Sequence, residues 1–230
     1  MNGRSYLREI LPRLVGYRLA RYRLIPPPLP MTLTFSVTNR CQSCCLTCQI
    51  WRLYTENPEK ARDELRIEEI EAIFRSIGYT YFFNISGGEP YLRDDLAEIV
   101  DLAVRYLRPR VIHIPTNGLA PARIESTTRR ILQTISDRHC RIPLTVKPSL
   151  DGIGEEHDRI RGVSGNFERV LETVQRLKGL QEKYPDLHVE LGTVVSVANM
   201  EHLDEIAAFA HSLGVESYRN EIAEQRAEFF

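Results

Sequence analysis

Long apolar runs are missing from this chain of 230 residues: no stretch approaches the roughly 20 consecutive apolar residues that a membrane-crossing helix needs. The N-terminus lacks the apolar core and small-residue cleavage site of a secretory signal, so the expected compartment is the cytosol. Cysteine is scarce and unevenly placed. Four of the five fall within eight positions, Cys41, Cys44, Cys45 and Cys48, and Cys140 stands alone. A disulfide framework would spread its cysteines to staple distant loops, so metal ligation is the better reading. Histidines number six, and none is spaced as a ligand pair beyond His139 beside Cys140. With ordinary apolar content and a formal charge of −1, the chain has the length for one sizeable core, and one domain is expected.

What charge there is lies unevenly. Residues 1–24 hold Arg4, Arg8, Arg13, Arg18, Arg21 and Arg23 against Glu9, a net +5, so the remainder carries −6. Leu7, Ile10, Leu11, Leu14, Val15 and Leu19 recur there at roughly helical spacing, although Pro12 and Gly16 weaken a continuous helix. The plainer reading is a solvated helix packed on the domain or a partner. The strip also suits the anionic inner surface of a membrane. Nucleic acid fits less well, because no reading motif accompanies the charge. Pro26-Pro27-Pro28-Leu29-Pro30 cannot continue a helix and marks the boundary: a basic arm and linker over 1–30, a domain over 31–230.

Beyond the prolines, runs rich in β-branched and aromatic residues recur near 31–37, 80–86, 110–115, 143–150, 188–197 and 215–218. Segments of helical period lie between them. Ile67, Ile70, Ile73, Phe74 and Ile77 form one stripe ending at Gly78. The next helix opens at Asp95 with Glu98 three residues on, the arrangement of a capping box. Others run from Asn166 to before Gly179 and from Asn199 to Gly214, and a further helix follows residue 120. Such alternation predicts βαβ units and a parallel sheet, as an open doubly wound sheet or part of a barrel. Either architecture places the chemistry at the C-terminal strand ends.

At the end of the first strand, Cys41, Cys45 and Cys48 have the spacing Cys-x3-Cys-x2-Cys. Thiolates suit iron–sulfur clusters or zinc, and three of them on a four-iron cluster leave one iron open. Four further stretches follow at strand ends: Ser86-Gly87-Gly88-Glu89-Pro90, Pro115-Thr116-Asn117-Gly118, Pro148-Ser149-Leu150-Asp151-Gly152, and His157-Asp158-Arg159-Ile160-Arg161-Gly162. The series, across about residues 31–219, resembles the radical S-adenosylmethionine superfamily, in particular its peptide-modifying and molybdenum-cofactor branch.

That resemblance implies a partial (β/α)6 barrel in which Cys41, Cys45 and Cys48 hold a [4Fe-4S] cluster and the open iron chelates S-adenosylmethionine. Reductive cleavage then yields a 5′-deoxyadenosyl radical that abstracts hydrogen from a peptide or small-molecule substrate, with flavodoxin or ferredoxin as electron donor. It also implies that Gly87 and Gly88 admit the methionine moiety, that Glu89 accepts from its ammonium group, that Ser149 and Arg161 hold carboxylate and ribose, and that Asn117 sits near ribose or adenine. Thr47 stands where many relatives carry an aromatic residue against adenine. Such relatives often bear cysteines in a C-terminal extension, whereas no cysteine follows Cys140 here. Each stretch alone has a plainer meaning: Gly-Gly-Glu-Pro or Asn-Gly is an ordinary turn, Arg161 a surface charge, His113 a core or barrel-lining residue, Cys44 a bystander and Cys140 structural. A structural zinc site usually draws on two separated cysteine pairs, which this chain lacks. A non-catalytic metal-binding scaffold of the same fold stays open.

Overall fold

The computed structural model describes residues 3–223, with side chains from residue 10 onward. Two compact units make up the chain, Met1–Met31 and Thr32–Phe230. In the first, helix α1 (Gly3–Arg21) runs unbroken through Pro12 and Gly16. A proline forfeits one backbone bond, and the turns on both sides carry the helix across it. The Tyr17 hydroxyl donates to Leu29 O at 2.5 Å within the same unit.

The second unit alternates strand and helix: β1 (Thr32–Thr38), α2 (Ile50–Glu56), α3 (Ile67–Ile77), β2 (Phe82–Gly87), α4 (Leu96–Leu102), β3 (Val111–Thr116), α5 (Pro121–Asp137), β4 (Leu144–Pro148), α6 (Glu155–Arg161), α7 (Asn166–Gln181), β5 (Leu187–Val195), α8 (Leu203–Ser212) and β6 (Ser217–Ile222). All five neighbouring pairs are parallel and the order is β1-β2-β3-β4-β5-β6. A doubly wound sheet reverses its order partway, whereas sequential order with crossovers of one hand puts every helix on one face. The sheet is therefore an incomplete (β/α)6 barrel, with β1 and β6 as unjoined edges.

Alternation along the strands explains the layering. Phe83, Ile85, Ile112, Ile114, Leu144, Val146, Val189 and Leu191 are buried on the helix side, against Ile70, Phe74, Leu96, Ile99, Ile131, Val174 and Ile206. Phe74 of α3 sits edge-on to Phe35 and Phe83, with ring centroids 5.1 and 5.4 Å away. The other face is polar: Thr34, Asn84 and His113 stand in register on β1 to β3. His113 lines this face, its Nδ1 2.7 Å from Asn84 Oδ1.

Three expectations about elements need correction. Asp95 does begin α4 but makes no side-chain cap, because its carboxylate is held by Arg93 at 2.6 and 3.1 Å. Helix α7 passes through Gly179 to Gln181, since Leu177 and Leu180 are buried on either side and outweigh the low propensity of one glycine. The sixth strand lies later than expected, at Ser217–Ile222 rather than 215–218, where it extends along β5.

Candidate active site

The loop between β1 and α2 carries all the clustered cysteines, and its shape is imposed by backbone contacts at two places. A register shift between Ser36 and Thr38 turns the end of β1 toward β2. There Gly88 N–H donates to Thr38 O at 2.7 Å and Glu89 N–H to Arg40 O at 2.8 Å. A Cβ on Gly88 would lie 2.2 Å from Arg40 O, so the chain itself fills the space that glycine leaves. Further along, Cys44 N–H donates to Arg161 O at 3.0 Å and Leu46 N–H to Ile160 O at 2.9 Å.

Cys41, Cys45 and Cys48 are free thiols, of which Cys45 is buried. Burial pushes the Cys45 thiol up to about 11, opposed by Arg161, while Cys41 and Cys48 charges add to the rise, so the three sulfurs share one electrostatic neighbourhood. Cys44 is exposed. Asn117, expected near the nucleoside, directs its Nδ2 at Cys41 Sγ (3.8 Å), and its Oδ1 accepts from Leu119 N–H at 3.0 Å. Among the described residues no three His, Cys, Asp or Glu side chains converge as ligands of one ion. A cuboidal iron–sulfur core is broader than an ion, and its thiolates stand correspondingly further apart.

Glu89, after β2, is only 2% exposed. Its carboxylate accepts from Tyr91 N–H (3.1 Å), the Thr116 hydroxyl (2.9 Å) and Asn117 N–H (2.7 Å), tying β2 to the end of β3. All three donors are neutral. Burial pushes its pKa up to about 7 despite those bonds and the Arg161 charge, so the site favours a cation against this carboxyl. A carboxylate has about four acceptor positions, and one remains.

Beyond β4, Asp151 is fully buried and accepts from Val194 N–H (2.8 Å) on β5 and from Arg161 Nη1 (3.0 Å) on α6. Arg161 is buried too; although burial opposes its charge, Cys45 and Asp151 raise its pKa. Its Nε is buried without a partner. Ser149 is half-buried, its N–H donating to Thr116 O at 2.9 Å, and it bridges to Gly192. The strand ends thus bring Cys41, Cys45, Glu89, Asn117 and Arg161 into one electrostatic neighbourhood.

Sequence reasoning missed several supports. Arg93 is 7% exposed and donates to Val37 O (2.7 Å) and Leu65 O (2.6 Å) as well as to Asp95, fixing the end of β1. The Glu64 carboxylate accepts from the Thr38 hydroxyl and from Arg40 Nη2, the latter at 2.8 Å. Asp158 accepts from Gly165 N–H (2.5 Å) and Phe167 N–H (2.8 Å). Only the Asp158 contact had a local signal, an acid eight residues before the start of α7 at Asn166.

Comparison with known proteins identifies a family and a fold. A family model described as the Radical SAM superfamily matches residues 35–210. The chain is similar to the antilisterial bacteriocin subtilosin biosynthesis protein AlbA of Bacillus subtilis, 25% identical over 198 residues, covering 83% of this chain and 39% of that protein. It is 29% identical over 188 residues to mycofactocin maturase MftC of Mycolicibacterium smegmatis, covering 80% and 43%, and 29% identical over 213 residues to pre-heme d1 synthase of Dinoroseobacter shibae, covering 90% and 48%. The chain spans less than half the length of these relatives. Among solved structures, native anSMEcpe with bound AdoMet superposes with a TM-score of 0.62 at 20% identity, over 86% of this chain and 52% of that one. Streptococcus suis SuiB gives 0.62 at 14% identity, over 100% and 47%. With the fold shared and the family match spanning the three cysteines, Glu89 and Arg161, the chain belongs to the Radical SAM superfamily.

Proposed function

We propose that this chain binds a [4Fe-4S] cluster through Cys41, Cys45 and Cys48, cleaves S-adenosylmethionine reductively, and directs the resulting radical at a peptide. The observation that carries the reading is a buried carboxylate, Glu89, whose three bonds come from neutral donors, set beside a buried guanidinium with an unpartnered Nε. That pairing of an anion and a cation matches the ammonium and carboxylate of an amino acid. When bound, the cluster and S-adenosylmethionine supply electron transfer into a carbon–sulfur bond and a 5′-deoxyadenosyl radical. Glu89 takes the ammonium on its remaining acceptor position, Arg161 and Ser149 hold the carboxylate and ribose, and Gly87 and Gly88 let the turn that bears Glu89 press against the backbone of Thr38 and Arg40. Asn117 donates to the Cys41 sulfur, a contact of the kind that tunes cluster potential. Electrons come from a small low-potential donor such as flavodoxin or ferredoxin.

The peptide assignment has two supports. SuiB has been solved with the precursor peptide SuiA, and anSMEcpe with the Cp18Cys peptide. Here the sheet face away from the helices offers polar groups, Thr34, Asn84, His113 and Lys147, the last paired with Glu221 at 2.7 Å.

The test is anaerobic reconstitution with iron and sulfide, addition of dithionite and S-adenosylmethionine, and assay of 5′-deoxyadenosine. Product should form with the natural chain and vanish in Cys45→Ala. Glu89→Ala should keep its iron and lose cosubstrate affinity by about tenfold or more, as expected for a lost charge-assisted hydrogen bond. Stoichiometric zinc without product would overturn the proposal.

A further inference from the structure

A helix end leaves its last carbonyls without intrahelical partners, and they must be met by other donors. At the end of α6 those carbonyls are Ile160 O and Arg161 O, and the donors are Leu46 N–H and Cys44 N–H, which flank Cys45 in the cysteine loop. The next residue is Gly162, in the left-handed region at φ 68°, its N–H donating to Asp158 O. A Cβ there would stand 2.4 Å from Cys44 O and 2.9 Å from Cys44 C and Cβ. No flexible side chain could yield to relieve that approach, because the closest obstructing atoms, Cys44 O and C, are backbone and Cβ is fixed to it. Arg161, one residue earlier, places its guanidinium against Asp151 from the same turn.

We infer that Gly162 is a positioning residue for the cluster: it lets the C-terminal end of α6 seat the cysteine loop through Cys44 and Leu46, so that the segment bearing Arg161 and the segment bearing Cys45 move as one body. The inference rests on Cys41, Cys45 and Cys48 being the cluster ligands. The loop is thereby gripped from two sides, by Gly88 and Glu89 at its start and by α6 at its middle. Cys44 has its part in this grip through its backbone, and its exposed thiol takes no part in the seat.

The experiment compares Gly162→Ala with Gly78→Ala and Gly165→Ala. Those two glycines share the positive φ, at 70° and 73°, but a Cβ on either meets nothing within 4 Å. Gly165, at ψ 12°, lies in the same left-handed region as Gly162 and reproduces its backbone strain without the collision, whereas Gly78, at ψ −149°, imposes a larger strain, also without a collision. After reconstitution, iron per chain, the electron paramagnetic resonance spectrum of the reduced cluster, and the rate of iron removal by a chelator are measured, with melting of the metal-free proteins as the reference for general damage. Gly162→Ala should lose its iron about tenfold faster than either control and show an altered spectrum, since local opening of the seat exposes the ligands. Equal rates and identical spectra in all three would overturn the inference. Should Gly162→Ala fail to fold, amide hydrogen exchange in the natural protein decides: Cys44 and Leu46 N–H should be protected, and exchange at open-loop rates would refute the seat. If the natural chain takes up no cluster, the functional proposal fails, while the exchange measurement still tests the seat.

Discussion

One neutral nitrogen holds the turn that follows β4. His157 is fully buried, and its Nδ1 accepts from Asp151 N–H at 3.1 Å, a bond that protonation of that nitrogen would abolish. Burial, aided by the Arg161 charge, depresses its pKa from 6.5 to about 4. Between those values the unfolded chain binds the proton that the folded chain refuses, so stability rises with pH across this window and is lost as pH falls from 6.5 toward 4. Urea unfolding at about pH 7 and about pH 5 should show the natural chain losing about 2 kcal/mol more than His157→Gln over that interval. Parallel losses in both would place the proton uptake elsewhere. The residues legible in the sequence were those with short-range spacing: the cysteines, Gly87-Gly88-Glu89, and Arg161 after His157-Asp158. Arg93 was not, because its partner Val37 lies 56 residues away and no local pattern encodes that meeting.

Helix termini show how an element-level rule succeeds or fails by competition. Asp95 and Glu98 have the spacing of a capping box, yet Arg93 takes the Asp95 carboxylate and the box does not form. Helix α7 has no cap from its own first residue, and Asp158 of α6 supplies one by accepting from Gly165 and Phe167 N–H. Asp158→Ala should therefore cost about 1–2 kcal/mol, the usual worth of a lost N-cap, read as a lower urea midpoint. A change within about 0.5 kcal/mol, typical of neutral surface substitutions, would mean that water replaces the carboxylate without loss. The strands were placed within a few residues by their β-branched and aromatic runs. Helix α2 and the short α6 passed unnoticed, since seven residues do not establish a helical period.

At the scale of the whole molecule, the alternation of strands and helices left two architectures open, and the sequential parallel order decides between them. Pattern could not reveal that order, because strand neighbours are chosen by tertiary packing rather than by any local period. In the first unit, Leu11, Leu14, Val15 and Leu19 are exposed along α1 among arginines. Sedimentation with anionic vesicles before and after deletion of residues 1–24 separates a membrane-contacting arm from a helix packed on the domain or a partner: loss of binding on deletion supports the former, and equal sedimentation of both forms ends the membrane idea.

Everything functional depends on three thiolates leaving one iron vacant at the strand ends. The most direct measurement is the electron paramagnetic resonance spectrum of the reduced cluster, recorded before and after adding S-adenosylmethionine labelled with nitrogen-15 at its amino group. The expected result is a shifted spectrum with resolved coupling to the label, retained in Cys44→Ala and absent along with the cluster in Cys41→Ala, Cys45→Ala and Cys48→Ala. A cluster whose spectrum ignores the cosubstrate, or one that survives loss of Cys45 but not of Cys44, would contradict it.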